Sequence, residues 1–222
     1  MKVEKTKTLE LMQKTFSNFI DYVNNNIEHM SVENFNPGET MLVIIDMVNG
    51  FVREGALSSP YVDKIASKIS EFAQKCEDLK IPIIAYADTH EENSTEFRSF
   101  PAHCIAGTSE AELIDELKKI KSIIKIEKNS TNSFLAKNPL EIAENNVKNI
   151  LVTGCVTDIC VRDFSKTMRK YLDENNIDAN IYLFENLIET YDIEGIHDRE
   201  LEHILALYDM KNSGINIVKY SS

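Results

Sequence analysis

From residue 41 onward the chain alternates short apolar runs with longer stretches whose apolar side chains recur at helical spacing. The runs 41–47 (MLVIIDM), 82–88 (PIIAYAD), 123–128 (IIKIEK), 149–155 (NILVTGC), 181–187 (IYLFENL) and 215–220 (INIVKY) read as strands. They are short, rich in β-branched residues and bounded by polar or turn residues. Between them, 61–79 places Val62, Ile65, Ile69, Phe72, Ala73 and Cys76 at helical spacing. The stretch 157–175 does the same with Ile159, Val161, Phe164, Met168, Tyr171 and Leu172. Shorter helices are expected over 110–119, over 140–146 and near 197–209. Strands this apolar are covered on both faces, and strand–helix alternation joins them in parallel. The pattern therefore predicts an α/β three-layer sandwich, with a mainly parallel central sheet of about six strands and helices on both faces.

Residues 1–38 differ from this rhythm. Leu9, Leu11, Met12, Phe16, Phe19, Ile20 and Tyr22 mark an amphipathic helix, and Asn36-Pro37-Gly38 ends the segment. The expected organisation is an N-terminal helical arm over 1–38 packed on one domain over 39–222. A chain of 222 residues suits one α/β domain of that kind.

Composition narrows the function classes. The formal net charge is −12, so phosphate backbones and anionic lipid surfaces are repelled on average. No nucleic-acid or membrane partner is expected. The apolar runs reach about five residues, well short of a membrane span. MKVEKTKTLE has no apolar signal-peptide core, so a cytoplasmic location is expected. In that reducing setting Cys76, Cys104, Cys155 and Cys160 are expected to be thiols, and their spacing fits no zinc ribbon. Neither G-x-G-x-x-G nor G-x-x-x-x-G-K-[ST] occurs, which argues against a nucleotide-binding module.

Sites in parallel sheets lie beyond the carboxyl ends of the strands. Asp46, Asp88, Lys128 and the Cys155–Cys160 turn all fall there. Each alone also suits a cap or a surface group, but together they make a hydrolytic set. A cysteine nucleophile acts as thiolate, and a helix N-terminus or a nearby cation lowers its pKa. Cys160 is expected in the first helical turn, with Thr157 or Asp158 as candidate caps, and Lys128 supplies a cation. Asp46 can take the thiol proton and pass it to a leaving group. Cys155, earlier in the turn, is the competing nucleophile.

The segments LVIIDMVNGF, IEKNSTNSF and VTGCVTDICV resemble those of the isochorismatase-like cysteine hydrolases, and more narrowly the nicotinamidases. The resemblance covers roughly 41–220. It implies Asp46, Lys128 and Cys160 as the catalytic residues. It also implies a cis peptide at Cys155–Val156 and an oxyanion hole made by the backbone amides of Val156 and Cys160.

A metal site is a separate matter. Asp88, His90 and His103 suit zinc, iron or manganese by residue type, although two loop histidines satisfied by backbone groups would look the same. Nicotinamidases carry D-x-H, a downstream acid in some members, then F/W-P-x-H-C-x-x-G-T. Here those are Asp88, His90, Glu96 and the FPAHCIAGT stretch with His103. Thr89 stands where the family usually has Trp. The resemblance thus implies a divalent metal, zinc first with iron or manganese as alternatives, bound by Asp88, His90, His103 and Glu96. It implies hydrolysis of nicotinamide to nicotinate and ammonia through a thioester on Cys160, and a homo-oligomer. Phe51 and Phe134 are expected in the substrate pocket, with Phe97 and Phe100 as further aromatics. The alternatives are an amidase of the same superfamily acting on another small amide or carbamoyl compound, or a catalytically silent binding relative.

Overall fold

The computed structural model describes residues 3–143 and 146–221. In chain order its elements are α1 (Lys5–Asn25), β1 (Glu28–Met30), β2 (Thr40–Ile45), α2 (Asn49–Val52), α3 (Pro60–Asp78), β3 (Ile83–Asp88), α4 (Asp115–Lys118) and β4 (Ile123–Lys128). There follow α5 (Ser133–Ala136), β5 (Asn149–Cys155), α6 (Arg162–Glu174), β6 (Asn180–Glu189), α7 (Arg199–Asn212) and β7 (Asn216–Tyr220). The strands form one sheet in the order β1-β7-β6-β5-β2-β3-β4, with every neighbouring pair parallel.

The period-2 geometry of a strand divides its side chains between two cores. On β2, Leu42 and Ile44 join Phe72 and Phe184 on one face. Met41, Val43 and Ile45 join Phe164, Met168 and Leu207 on the other. Helix α3 starts where Ser59 accepts the Tyr61 N–H and Pro60 occupies the first helical position, a donor-poor start that suits proline. This layered α/β architecture is the one the sequence pattern predicts, with one strand more.

The additional strand is β1. Its residues Glu28, His29 and Met30 pair with Val218, Lys219 and Tyr220, yet none is buried, so no apolar alternation marks it. The arm is consequently part of the sheet. It is also tied to the core through Phe19, Val23 and Ile27, and the Phe16 and Phe19 rings lie 5.1 and 5.2 Å from Tyr208.

Two helices expected from the sequence are shorter. Over 110–119 there is a 3-10 turn at Ser109–Ala111 and the single turn α4. The backbone there is used otherwise: Asn49 donates to the Glu112 carbonyl (2.9 Å) and Ile114 donates to the Met47 carbonyl (3.1 Å). Over 140–146 a 3-10 turn spans Pro139–Glu141, and 144 and 145 lie outside the described residues.

The strand order reverses between β2 and β5, so their carboxyl ends open a crevice, the usual ligand position in such sheets. Here the two backbones approach closely. A Cβ on Gly154, whose φ is +118°, would lie 2.0 Å from the Ile45 carbonyl oxygen. Gly154→Ala must therefore push two central strands apart while holding a left-handed residue. It is expected to destabilise the fold by about 3 kcal/mol, read as a lower urea midpoint at an unchanged denaturant slope.

Candidate active site

Three adjacent strand ends supply the charged residues. Asp46 follows β2 in a left-handed conformation (φ 51°). Its N–H donates to the Tyr86 carbonyl (3.0 Å), and its carbonyl accepts the Cys155 thiol (3.1 Å). Asp88 ends β3 and Lys128 ends β4, and the two are direct partners in the sheet register. All three are buried. Lys128 Nζ lies 2.9 Å from Asp46 Oδ2 and 2.7 Å from Asp88 Oδ1. The first contact is an ion pair without hydrogen-bond alignment; the second is also a hydrogen bond.

Cys160 lies in the turn after β5. The Cys155–Val156 peptide is cis, as the family resemblance implied. Thr157–Val161 then forms a π-helical turn that leads into α6. The Val156 carbonyl accepts the N–H of Ile159 and of Val161, both at 3.2 Å, and passes over that of Cys160. Cys160 Sγ is 3.9 Å from Lys128 Nζ. Cys155 is fully buried with its sulfur on the Asp46 carbonyl, whereas Cys160 lines the cleft.

Two expectations about this turn are corrected. Neither Thr157 nor Asp158 caps it: Thr157 Oγ1 faces His203 Nδ1 at 3.0 Å, and Asp158 reaches Thr190 and His197. Nor does the surrounding charge leave a resting thiolate. Burial pushes the Cys160 thiol well up; Lys128 pulls it down, but Asp46 and Asp88 push it up again. Burial also raises the Asp46 carboxyl to about 6, against the pull of Lys128. Burial disfavours the ammonium of Lys128, yet the charges of Asp46 and Asp88 hold its pKa well above the ordinary lysine value. A protonated thiol beside an ionised carboxylate is the arrangement a proton transfer starts from.

Asp88, His90, Glu96 and His103 offer ligand atoms that all lie within 4.8 Å of one another. Asp88 Oδ2 is 3.0 Å from Nε2 of both histidines, and Glu96 Oε1 is 3.9 Å from His90 Nε2. The far side of each ring explains the fit. His103 Nδ1 faces the Pro101 carbonyl at 2.8 Å, which can only accept, so Nδ1 carries the proton. His90 Nδ1 faces Asn129 Oδ1 at 2.7 Å. Each ring therefore turns Nε2 toward an Asp88 oxygen, and His90 Nε2 is buried without an aligned hydrogen-bond partner. A cation at the centre satisfies every one of these atoms.

A small cleft opens to solvent beside these residues. Phe51, Leu57, Phe100, Ile159 and Tyr191 form apolar walls, and Asp88, Glu96, His103 and Cys160 are among its polar members. Phe51 lines the cleft, its ring 5.5 Å from that of His103. Phe97 rests 5.3 Å from the His90 ring. Phe134 is elsewhere: its ring packs 5.1 Å from Tyr171 on α6, and it borders a separate surface depression. Sequence reasoning missed Asn129 and Tyr191. Asn129 adjoins Lys128 in the chain, which is a usable signal; Tyr191 follows β6 without any pattern of its own.

Residues 40–210 match the family model described as the isochorismatase domain. The chain belongs to the isochorismatase-domain family. Within it, the sequence is 29% identical over 206 residues to Nicotinamidase 1 of Arabidopsis thaliana, covering 80% of this chain and 84% of that protein. Pyrazinamidase of Pyrococcus horikoshii, solved in complex with zinc, superposes with a TM-score of 0.68 at 29% identity over 82% of this chain and 99% of that one. Nicotinamidase of Bacillus subtilis does so at 0.66 and 25%, covering 82% and 99%. This isochorismatase-domain chain is a nicotinamidase-like hydrolase. Because Asn129 fixes the His90 ring, Asn129→Ala is expected to weaken divalent-metal binding about 10–100-fold, measured by titration against a chromophoric chelator.

Proposed function

We propose that this chain hydrolyses small amides, nicotinamide foremost, to the carboxylic acid and ammonia through a thioester on Cys160. The observation that carries the reading is the convergence of Asp46, Lys128 and Cys160 beside a cleft that also holds Asp88, Glu96 and His103. The zinc-bound pyrazinamidase and the plant nicotinamidase among its relatives support the substrate class.

In this scheme Asp46 takes the Cys160 proton, and the sulfur attacks the amide carbon. The new oxyanion is met by the backbone N–H groups of Val156 and Cys160; loss of one such donor typically costs ~10²–10³ in rate. Asp46 returns the proton to the departing nitrogen, releasing ammonia and leaving the acyl group on sulfur. It then takes a proton from water, whose oxygen attacks the acyl carbon and displaces the Cys160 thiolate, freeing the acid; the thiolate takes that proton back from Asp46. Lys128 stays charged throughout and holds Asp46 and Asp88 in place. Asp88, His90, Glu96 and His103 would hold a divalent ion, zinc first with iron or manganese as alternatives, and the ion would supply a Lewis acid. Phe51 offers an aromatic face to a planar ring. Thr89, in place of the family's usual Trp, keeps another small amide or carbamoyl compound as the second reading.

The direct test is ammonia release from nicotinamide before and after chelation. Activity is expected to fall with chelator and return with zinc, iron or manganese, and Cys160→Ala is expected to remove at least ~10⁴-fold of it. Full activity in Cys160→Ala would sink the scheme. The pH profile has a definite sign. Asp46 serves as base only when ionised, and its carboxyl titrates at about 6. The ratio kcat/KM should therefore rise with pH through that value and fall about tenfold per pH unit below it. A profile flat from pH 4 to 7, roughly two units below to one above that value, would remove Asp46 from the role.

A further inference from the structure

We propose that Tyr191 sets the size of the molecule this cleft accepts, and that Asp158 and His197 are the positioning residues that hold it there. The substrate half of this statement rests on the amide-hydrolase reading above; the structural half does not.

Asp158 lies in the same turn as the nucleophile, two residues before Cys160, and is 5% exposed. It is not a cap. Both its oxygens cross to the segment after β6: Thr190 Oγ1 donates to Oδ1 at 2.7 Å, and His197 Nε2 lies 2.9 Å from Oδ2. The other nitrogen of the same ring, Nδ1, is 3.1 Å from the Tyr191 carbonyl oxygen. The two rings also pack against each other at a tilt of 42°, with centroids 4.4 Å apart. Tyr191 is thus gripped at its backbone and at its ring by one histidine, which is itself gripped by Asp158.

The rest of the segment is a small closed unit. The Ile193 N–H donates to the His197 carbonyl (2.9 Å) and the His197 N–H to the Ile193 carbonyl (2.8 Å), around Gly195 at φ +72°. Its outer side has little packing, since Ile196 is 83% exposed. The contacts with Asp158 tie the segment to the turn that carries Cys160, while Arg199 ties its far end to Glu189. The result is that Tyr191 is 8% exposed and forms part of the cleft wall with Cys160. Burial pushes its hydroxyl up to about 12, so at neutral pH it is an uncharged donor. A ring in that position narrows the approach to Cys160, so it obstructs a bulky molecule more than a small planar one.

Two readouts test this, one of them independent of any substrate. The first is the rate at which Cys160 is alkylated by iodoacetamide and by the bulkier N-phenylmaleimide, followed by mass spectrometry of its peptide. Tyr191→Ala and His197→Ala are each expected to raise the maleimide-to-iodoacetamide rate ratio about tenfold, the scale of losing one aromatic contact. Tyr191→Phe should keep the wild-type ratio. His197 sits on the surface segment, so its variant reports even if Asp158→Asn does not fold. An unchanged ratio in Tyr191→Ala overturns the wall; a change there with none in His197→Ala overturns the positioning role. The second readout is nicotinamide turnover. His197→Ala should raise KM roughly tenfold while kcat stays within about twofold, because the contact is made equally before and during the reaction. An equal fall in kcat instead would overturn the assignment. If the wild-type protein does not turn over nicotinamide, the functional reading fails, while the alkylation ratio still decides the position of Tyr191.

Discussion

The ammonium of Lys128 sits at the junction of three strand ends with no access to water, and the site is organised around it. A lone buried charge is untenable, and two buried carboxylates without a cation are worse. Asp46 from β2, Asp88 from β3 and Lys128 from β4 become mutually acceptable only together. Removing one member of such a buried set typically costs about 3–5 kcal/mol. The contact that supports the chemistry is thus also one that the sheet needs in order to close at this end. It raises the Asp46 carboxyl less than burial alone would, and leaves that group near the range where a base is useful.

Asp88 links this ionic centre to the histidines. One oxygen is held by Lys128 at 2.7 Å, and the other lies 3.0 Å from both His90 and His103. The ammonium therefore fixes the rotation of a carboxylate whose second oxygen belongs to the ligand cluster. Asn129 and the Pro101 carbonyl perform the same service for the two rings from outside. Asp88, His90 and His103 are each oriented by a group outside the cluster, the usual way a preformed site is kept rigid.

Much of this was legible in the sequence because strand ends in parallel sheets are where function collects. MLVIIDM, PIIAYAD and IIKIEK announce buried strands and carry Asp46, Asp88 and Lys128 at or just past their last positions. What the sequence hides has physical causes. Glu28, His29 and Met30 make a strand by backbone pairing alone, so nothing in their side chains reveals it. The expected helix over 110–119 has the right composition, but its backbone is engaged by Met47 and Asn49, and tertiary pairing overrides local preference. Phe134 was placed at the pocket by its neighbours in the chain, and the turn of α5 sends it to Tyr171 instead. Asp158 looks like a helix cap from its position, and only the fold brings Thr190 and His197 to it. The resting state of Cys160 was likewise out of reach, since total burial is a property of the whole assembly.

Strand β4 lies at the border of the sheet and is bonded on one side only, to β3. Border strands ordinarily fray first, because half of their backbone groups have water as an alternative partner. Here Ile124 and Glu127 are open to solvent along the strand, yet its last residue is among the most deeply enclosed charges in the protein. Peeling the strand away would carry Lys128 off two carboxylates at once. This edge of the sheet is therefore pinned at its tip by its own terminal residue, and its opening is tied to dismantling the ionic centre beside Cys160. Local unfolding at this margin and loss of the buried ionic centre become a single event.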